Sequence, residues 1–285
     1  MSKDEELIEQ IVNQVLATRR MRPNIDDDNC LGCDGCGHCI SRRPAAVARM
    51  AQAGAGRIAA AIGVGQNFDC SLAHMIDHTL LKPNATAKEI EQLCAEAQEF
   101  GFFAVCINPT HVDRCKMLLA GSRVKICTVV GFPLGASSTA TKVFEAKDAV
   151  SMGADEIDMV INIGALKDDE HGFVQDDIAS VVNATAKHIL TKVILENAYL
   201  SIEEKIKGCL VSKAAGADFV KTSTGFGPSG ATLEDVALMR YVVGENLGVK
   251  AAGGIRDTTM ALKMMQAGAT RIGASASVKI VTGTA

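Results

Sequence analysis

Tryptophan is absent from the 285 residues, tyrosine occurs only at 199 and 241, and aromatic side chains make up 4% of the chain. So few flat rings offer no platform on which nucleic-acid bases could stack. Lys and Arg form no basic stripe, and the formal net charge of -4 gives a polyanion little to neutralise. No apolar run approaches the ~18 residues needed to cross a bilayer. The N-terminus also lacks the basic region, apolar stretch and small-residue cleavage site of a secretory signal. Nucleic acid and membrane are therefore excluded as expected partners. Cysteine is plentiful by comparison, at ten residues. Six of them (Cys70, Cys94, Cys106, Cys115, Cys127 and Cys209) are dispersed through apolar or helical patterns, which points to reduced thiols in a cytoplasmic protein rather than a disulfide framework.

With 48% hydrophobic and 22% charged residues, the chain has material for one large core plus a tail. From about residue 72 onward, short β-branched runs alternate with longer helical patterns bounded by glycine. The strand candidates are Met75 to Leu81, Ala104 to Ile107, Lys125 to Val130, Glu156 to Ile161, Lys192 to Leu195, Phe219 to Thr222, Gly248 to Ala252 and Arg271 to Ala274. Amphipathic stretches of crossover-helix length lie between them, among them Thr86 to Phe100, Ser138 to Met152 and Ser201 to Ala215. Gly153-Ala154-Asp155 and Gly216-Ala217-Asp218 punctuate two helix ends identically, and Gly268-Ala269-Thr270 nearly repeats them. Eight β units with intervening helices predict an α/β fold, a (β/α)8 TIM barrel, over 71–285. The competing arrangement is a doubly wound open sheet.

Lys221 interrupts the apolar run Phe219-Val220 just before Thr222-Ser223-Thr224-Gly225, and Lys250 sits likewise in Val249-Lys250-Ala251-Ala252-Gly253-Gly254. Burial disfavours an ammonium, and a second cation nearby does so further, so a free amine becomes available to attack a carbonyl. That is the first step of Schiff-base catalysis. The plainer alternative is that each lysine snorkels to water from a strand end. Barrel enzymes place their catalytic groups at the C-terminal ends of strands. The polar residues expected there are Asp77, Thr79, Cys106, Asp158, Asn162, Glu196, Lys221, Lys250 and Ser275. Asp158 breaks the apolar strand Ile157 to Ile161, so it either relays protons or forms a structural ion pair with a lysine. Asp155 and Glu156 read as solvated or capping residues. Gly253, Gly254, Gly273 and Ser275 stand at the ends of the last two strands, where glycine admits a close ligand and a helix start offers N–H groups to a phosphate.

These segments together resemble the deoxyribose-phosphate aldolase family, over roughly residues 72–280. The likeness is carried by Ile76-Asp77-His78-Thr79-Leu80-Leu81-Lys82-Pro83, Val105-Cys106-Ile107-Asn108-Pro109 and Val130-Gly131-Phe132-Pro133-Leu134-Gly135. Asp155 to Val160, Lys221 to Phe226, Lys250 to Arg256 and Gly273 to Ser275 extend it. The resemblance implies a class I aldolase that reversibly cleaves 2-deoxy-D-ribose 5-phosphate to D-glyceraldehyde 3-phosphate and acetaldehyde without a cofactor. Lys221 would form the imine, Lys250 would lower its pKa, and Asp158 would move protons as the C3–C4 bond breaks. Asp77, Thr79, Cys106 and Thr222 would line the sugar site, with Gly225, Gly253, Gly254, Gly273 and Ser275 around the phosphate, in a homo-oligomer. The chain departs from the family pattern at Phe226, where some relatives carry lysine, at Ala276, where a second serine is familiar, and at its end, which lacks a tyrosine.

The first seventy residues stand apart. Residues 1–20 place Leu7, Ile8, Ile11, Val12, Val15 and Leu16 on one helical stripe. This resembles the encapsulation peptides of bacterial microcompartments, which implies shell-protein partners for residues 4–20 and a location inside such a compartment. The alternative is a helix that packs on its own barrel or a neighbouring subunit. Within 21–70, Cys30, Cys33, Cys36 and Cys39 form an unbroken C-x2-C run suited to a [4Fe-4S] cluster or Zn, with a metal-free redox or disulfide tail as the other reading. Two functions of different class follow: an active aldolase with a localisation and metal tail, or a non-catalytic metal-cluster or shell-binding protein on an aldolase scaffold. A Schiff-base aldolase for another aldehyde is the variant within enzymes.

Overall fold

Side-chain oxygens decide where the helices begin. In the computed structural model, which describes residues 70–185 and 188–283, Thr86 accepts the Glu89 amide while Glu89 reaches back to the Thr86 amide at 2.7 Å. This reciprocal cap starts α2 (Ala87–Phe100), preceded by the short α1 (Cys70–Ala73). Ser201 and Glu204 repeat the device at α7 (Ile202–Ala214), and Ser138 caps α4 (Thr139–Met152). Gly101 and Gly153 end their helices with φ of 67° and 114°, a left-handed turn that costs glycine little.

The strands are β1 (Ile76–Leu80), β2 (Ala104–Ile107), β3 (Lys125–Val130), β4 (Glu156–Val160), β5 (Leu190–Ile194), β6 (Phe219–Lys221), β7 (Gly248–Ala252) and β8 (Arg271–Ala274). They run parallel and in sequence order, and β8 pairs with β1 to close the barrel. The helices α3 (Val112–Leu118), α5 (Ile163–Lys167), α6 (His171–Ala184), α8 (Leu233–Val243), α9 (Thr258–Gln266) and α10 (Ser277–Thr282) complete the outer layer. The eightfold (β/α) architecture expected from the strand and glycine rhythm is the one observed, and the open sheet is not. The targeting helix proposed for residues 4–20 and the Cys30, Cys33, Cys36 and Cys39 run lie outside the described residues.

Parallel strands covered on both sides are apolar throughout, so each charge inside them stands out. The layer between sheet and helices is built from residues such as Ile76, Ile157, Val193, Val220, Val249 and Ile272, all fully buried. The alternate positions point to the barrel axis, and charges collect there. His78 shows the same alternation from the other side: it faces the helix layer, pairs with Glu96 at 2.7 Å and packs on Phe102. Among the described residues no helix is long and apolar enough to cross a membrane.

Candidate active site

Strand register brings the charged residues together. Asp158 on β4 is aligned with Lys192 on β5, and Lys221 on β6 with Lys250 on β7. Lys250 is in turn aligned with Arg271 on β8. Asp158 lies at the centre. Its Oδ1 accepts from Lys192 Nζ at 2.7 Å and from the Cys127 thiol at 3.1 Å. Its Oδ2 accepts from Lys221 Nζ and from Lys250 Nζ, each at 2.8 Å. Lys250 also donates to Asp77 Oδ2, and Arg271 donates to Asp77 Oδ1 at 2.7 Å.

Four cations and three carboxylates thus share one interior, each at most 5% exposed. A charge this deeply buried survives only when paired and hydrogen-bonded. Burial by itself would raise the Asp158 carboxyl, yet the ammonium groups of Lys192, Lys221 and Lys250 outweigh it and hold the group well below the usual carboxylate range. Burial opposes Asp77 in the same way, and Lys250, Arg271 and Lys192 still bring it down to about 2. Burial would pull Lys192 and Lys250 down, but the carboxylates around each hold them above the ordinary lysine value. Lys250 is therefore a fixed cation beside Lys221.

Two residues belong to this network that sequence reasoning placed elsewhere. Glu156, read as solvated or capping, is 1% exposed; it pairs with Lys192 at 2.6 Å and with Arg271 at 3.2 Å. The physical reason is barrel closure: the first residue of β4 faces the floor, where Arg271 stacks 3.5 Å from the Phe103 ring centroid and seals the bottom. Asp155 does behave as expected, accepting the Ile126 amide at 2.9 Å. Lys192 was not singled out, although a lysine inside Leu190-Thr191-Lys192-Val193-Ile194 carries the same signal as Lys221.

The other expected site residues occupy distinct positions. Thr79 donates to the Asp77 carbonyl at 2.8 Å, and Cys106 is fully buried on β2 beside Cys127 of β3. The Thr222 hydroxyl is engaged by β7, donating to Ala252 O at 3.1 Å and accepting from Ala252 N at 3.0 Å. It therefore ties β6 to β7 and fixes the backbone beside Lys221. Gly225, Gly253 and Gly254 have φ of 88°, 87° and 79°, and space is open where a Cβ would stand at Gly225 and Gly254. Gly230 packs so closely on Gly253 that an added Cβ would lie 2.1 Å from the Gly253 oxygen. Gly273 closes on Lys250 Cε, while Ser275 is exposed at the mouth. The helix start after β7 is already occupied: Asp257 accepts the Met260 amide at 2.8 Å, so this end offers less to an anion than its sequence suggested. Among the described residues, Cys94, Cys106, Cys115, Cys127 and Cys209 are buried and carry free thiols.

An amine wedged against a carboxylate and beside a second fixed ammonium can condense with a carbonyl and pass protons. A family model described as DeoC/LacD family aldolase matches residues 71–284. The deoxyribose-phosphate aldolase of Caldanaerobacter subterraneus subsp. tengcongensis is 63% identical over 213 residues, 74% of this chain and 92% of that protein. The deoxyribose-phosphate aldolase of Thermoanaerobacter sp. (strain X514) is 60% identical over 213 residues, 74% of this chain and 96% of that protein. Among solved structures, the tetrameric deoxyribose phosphate aldolase of Aeropyrum pernix superposes with a TM-score of 0.70 at 33% identity, covering 76% of this chain and 91% of that one.

Proposed function

Because this chain belongs to the DeoC/LacD aldolase family, we infer that it reversibly cleaves 2-deoxy-D-ribose 5-phosphate through an imine on Lys221. The observation that carries this reading is the placement of Lys221 Nζ, 2.8 Å from Asp158 Oδ2, with Lys250 Nζ at the same distance from the same oxygen. Asp158 Oδ2 takes a proton from Lys221, whose free amine attacks C1 of the open-chain sugar. Asp158 returns that proton to the carbinolamine hydroxyl, which departs as water and leaves an iminium. A base, Asp158 directly or through a water, removes the C3 hydroxyl proton, and the iminium takes up the bonding electron pair as a carbon–carbon bond breaks. Atom balance places that break between C2 and C3, not at C3–C4: acetaldehyde keeps C1 and C2, and glyceraldehyde 3-phosphate keeps C3 to C5. Protonation of the enamine at C2 and hydrolysis return acetaldehyde and the free Lys221.

Lys250 stays positive throughout and disfavours a second positive charge on Lys221. Lys192 holds the other oxygen of Asp158, so the carboxylate cannot rotate away from the reacting amine. Asp77 and Thr79 line the sugar site, with Cys106 behind them. Gly225, Gly253, Gly254, Gly273 and Ser275 form the phosphate rim. Borohydride trapping with acetaldehyde, followed by peptide mapping, tests the assignment. An ethyl adduct on Lys221 that vanishes in Lys221→Ala is expected; scattered labelling of surface lysines would refute it.

The tail supports a further reading from its sequence alone. Residues 4–20 dock the enzyme to microcompartment shell proteins in the cytoplasm, where acetaldehyde, a volatile product, is contained. Cys30, Cys33, Cys36 and Cys39 hold a [4Fe-4S] cluster or Zn. The curated relatives align with 74% of the chain while spanning 92–96% of their own length, which marks the tail as an addition to a catalytic barrel. Metal analysis of the full chain purified without oxygen distinguishes the two metals. A homo-oligomer fits the tetramer of the Aeropyrum pernix relative.

A further inference from the structure

In the helix layer, between α4 and α6, lies a second buried ion pair that no step of the reaction uses. Lys142 near the start of α4 and Asp177 on α6 are at most 1% exposed and meet at 2.6 Å. Lys142 Nζ also donates to Val160 O at 3.1 Å, and Thr139 donates to the other Asp177 oxygen at 2.7 Å. One ammonium thus ties α4, α6 and the end of the strand that carries Asp158.

Apolar side chains of similar volume would join two helices as well as a desolvated ion pair does. What the lysine adds is a fixed direction. Its stem lies against Gly131, where an added Cβ would come within 3.0 Å of Lys142 Cε. Three residues further along the same face of α4, Glu145 accepts the Gly131 amide at 2.7 Å. Gly131 is the first residue after β3 and has φ of 60°. Its oxygen accepts the Gly135 amide at 2.7 Å, which closes the loop 131–135 into one turn. Gly135 in turn fits so closely on the end of β4 that a Cβ would stand 2.0 Å from Ile161 O. The loop is therefore clamped by α4 at one end and by β4 at the other, and Lys142 holds those two clamps together.

That loop reaches the mouth of the barrel. Phe132 packs on the cluster that contains Leu81, Cys106 and Cys127, and it meets Phe226 edge to face at 5.5 Å. Cys106 lies behind the sugar site, and Phe226 follows Gly225 of the phosphate rim. We propose that Lys142, Asp177 and Glu145 are positioning residues, which hold the loop after β3 where Phe132 bridges the sugar site and the phosphate rim. They touch no reacting atom, so they govern substrate retention more than chemistry. That effect on turnover rests on the aldolase reading; the placement of the loop does not.

Lys142→Met alone would leave a buried carboxylate unpaired. It is therefore combined with Asp177→Asn, which keeps an acceptor for Thr139 and removes both charges together. Should the double variant unfold, Asp177→Asn alone takes its place. The double variant and Glu145→Ala should each raise KM for 2-deoxyribose 5-phosphate about tenfold, with kcat changed less than about threefold. Glu145→Gln retains an acceptor for the Gly131 amide and should restore the wild-type KM. A pair that merely joined α4 to α6 would leave KM unchanged in a folded variant. Methyl-labelled full-length protein reads the loop without turnover. The Leu134 signals should shift in the double variant and in Glu145→Ala and return in Glu145→Gln, while those of Ile272 on β8 stay in place. Unmoved Leu134 signals, an unchanged KM in the folded double variant, or a KM in Glu145→Gln as high as in Glu145→Ala would overturn the proposal. If the wild type does not cleave 2-deoxyribose 5-phosphate, the aldolase reading fails and the Leu134 signals alone decide the positioning.

Discussion

Replacing Asp158 with asparagine removes a carboxylate that touches three ammonium groups, at 2.7, 2.8 and 2.8 Å. The amide nitrogen of the new side chain must face either Lys192 or the Lys221–Lys250 pair, so one acceptor becomes a donor pointed at a cation. The interior count changes from four cations and three carboxylates to four and two. Two lysines retain other partners, Lys192 through Glu156 at 2.6 Å and Lys250 through Asp77. Lys221 pairs with no other carboxylate among the described residues. Breaking a buried pair on one side costs about 3–5 kcal/mol. The surviving pairs bring the expectation to the lower end, about 3 kcal/mol. For a barrel of this size that corresponds to a fall in Tm of roughly 6–12 °C. Loss of the proton-transfer group should also lower kcat by about 10²–10⁴. Thermal melts by circular dichroism and a coupled assay of aldehyde release read the two effects separately. A Tm within 2 °C of wild type, taking ~3 °C per kcal/mol, would refute the electrostatic argument. A kcat within about threefold would refute the catalytic one.

Glu156→Gln makes a useful contrast, since Glu156 is equally buried but touches Lys192 and Arg271 instead of Lys221. Its Tm should fall by a similar amount while kcat falls less than about tenfold. The acid behaviour of Asp77 gives a third test. Its folded value of about 2 lies below the ordinary 3.8, so its contribution is complete above pH 3.8 and is lost as pH falls through about 2. That contribution amounts to about 2 kcal/mol. The Asp77 carboxyl-carbon NMR signal should show no protonation until near pH 2, and a midpoint at or above 3.8 would contradict the pairing with Lys250 and Arg271. Finally, Gly230→Ala drives a methyl group against the Gly253 carbonyl. This should raise KM for the phosphorylated substrate about tenfold with kcat changed less, and an unchanged KM would remove Gly253 from the phosphate rim.

The fold was readable because parallel strands buried on both faces and capped helices leave regular marks. Ser138, Thr86 and Ser201 open the predicted helices as N-caps, and β2, β3, β7 and β8 keep their expected limits. Lys221, Lys250 and Asp158 were readable because each interrupts an apolar run, and Asp77 was read as a polar residue of a strand end. Lys192 escaped notice because the expected strand began with it, and a lysine at a strand edge is ordinary. The strand in fact begins at Leu190, which places Lys192 at its centre. Glu156 and Arg271 begin their strands in both descriptions. Their burial comes from the closing of β8 on β1 and from Phe103 beneath Arg271, contacts between segments far apart in sequence that no local pattern records. Glu196 was recognised as a strand-end polar residue, but its positive φ and unpaired oxygen depend on the turn of the next strand.

The alignment of Lys221 with Lys250, and of Asp158 with Lys192, is set by backbone ladder bonds rather than by loops. A slip of one residue at any of these seams would turn a reactive side chain outward into the helix layer. Damage to the barrel therefore has no graded form: a molecule either has every seam in step and turns over at full speed, or is silent. Heat-aged preparations should lose active molecules one by one. Active-site titration would then fall in parallel with specific activity, while the turnover of each surviving molecule stays constant.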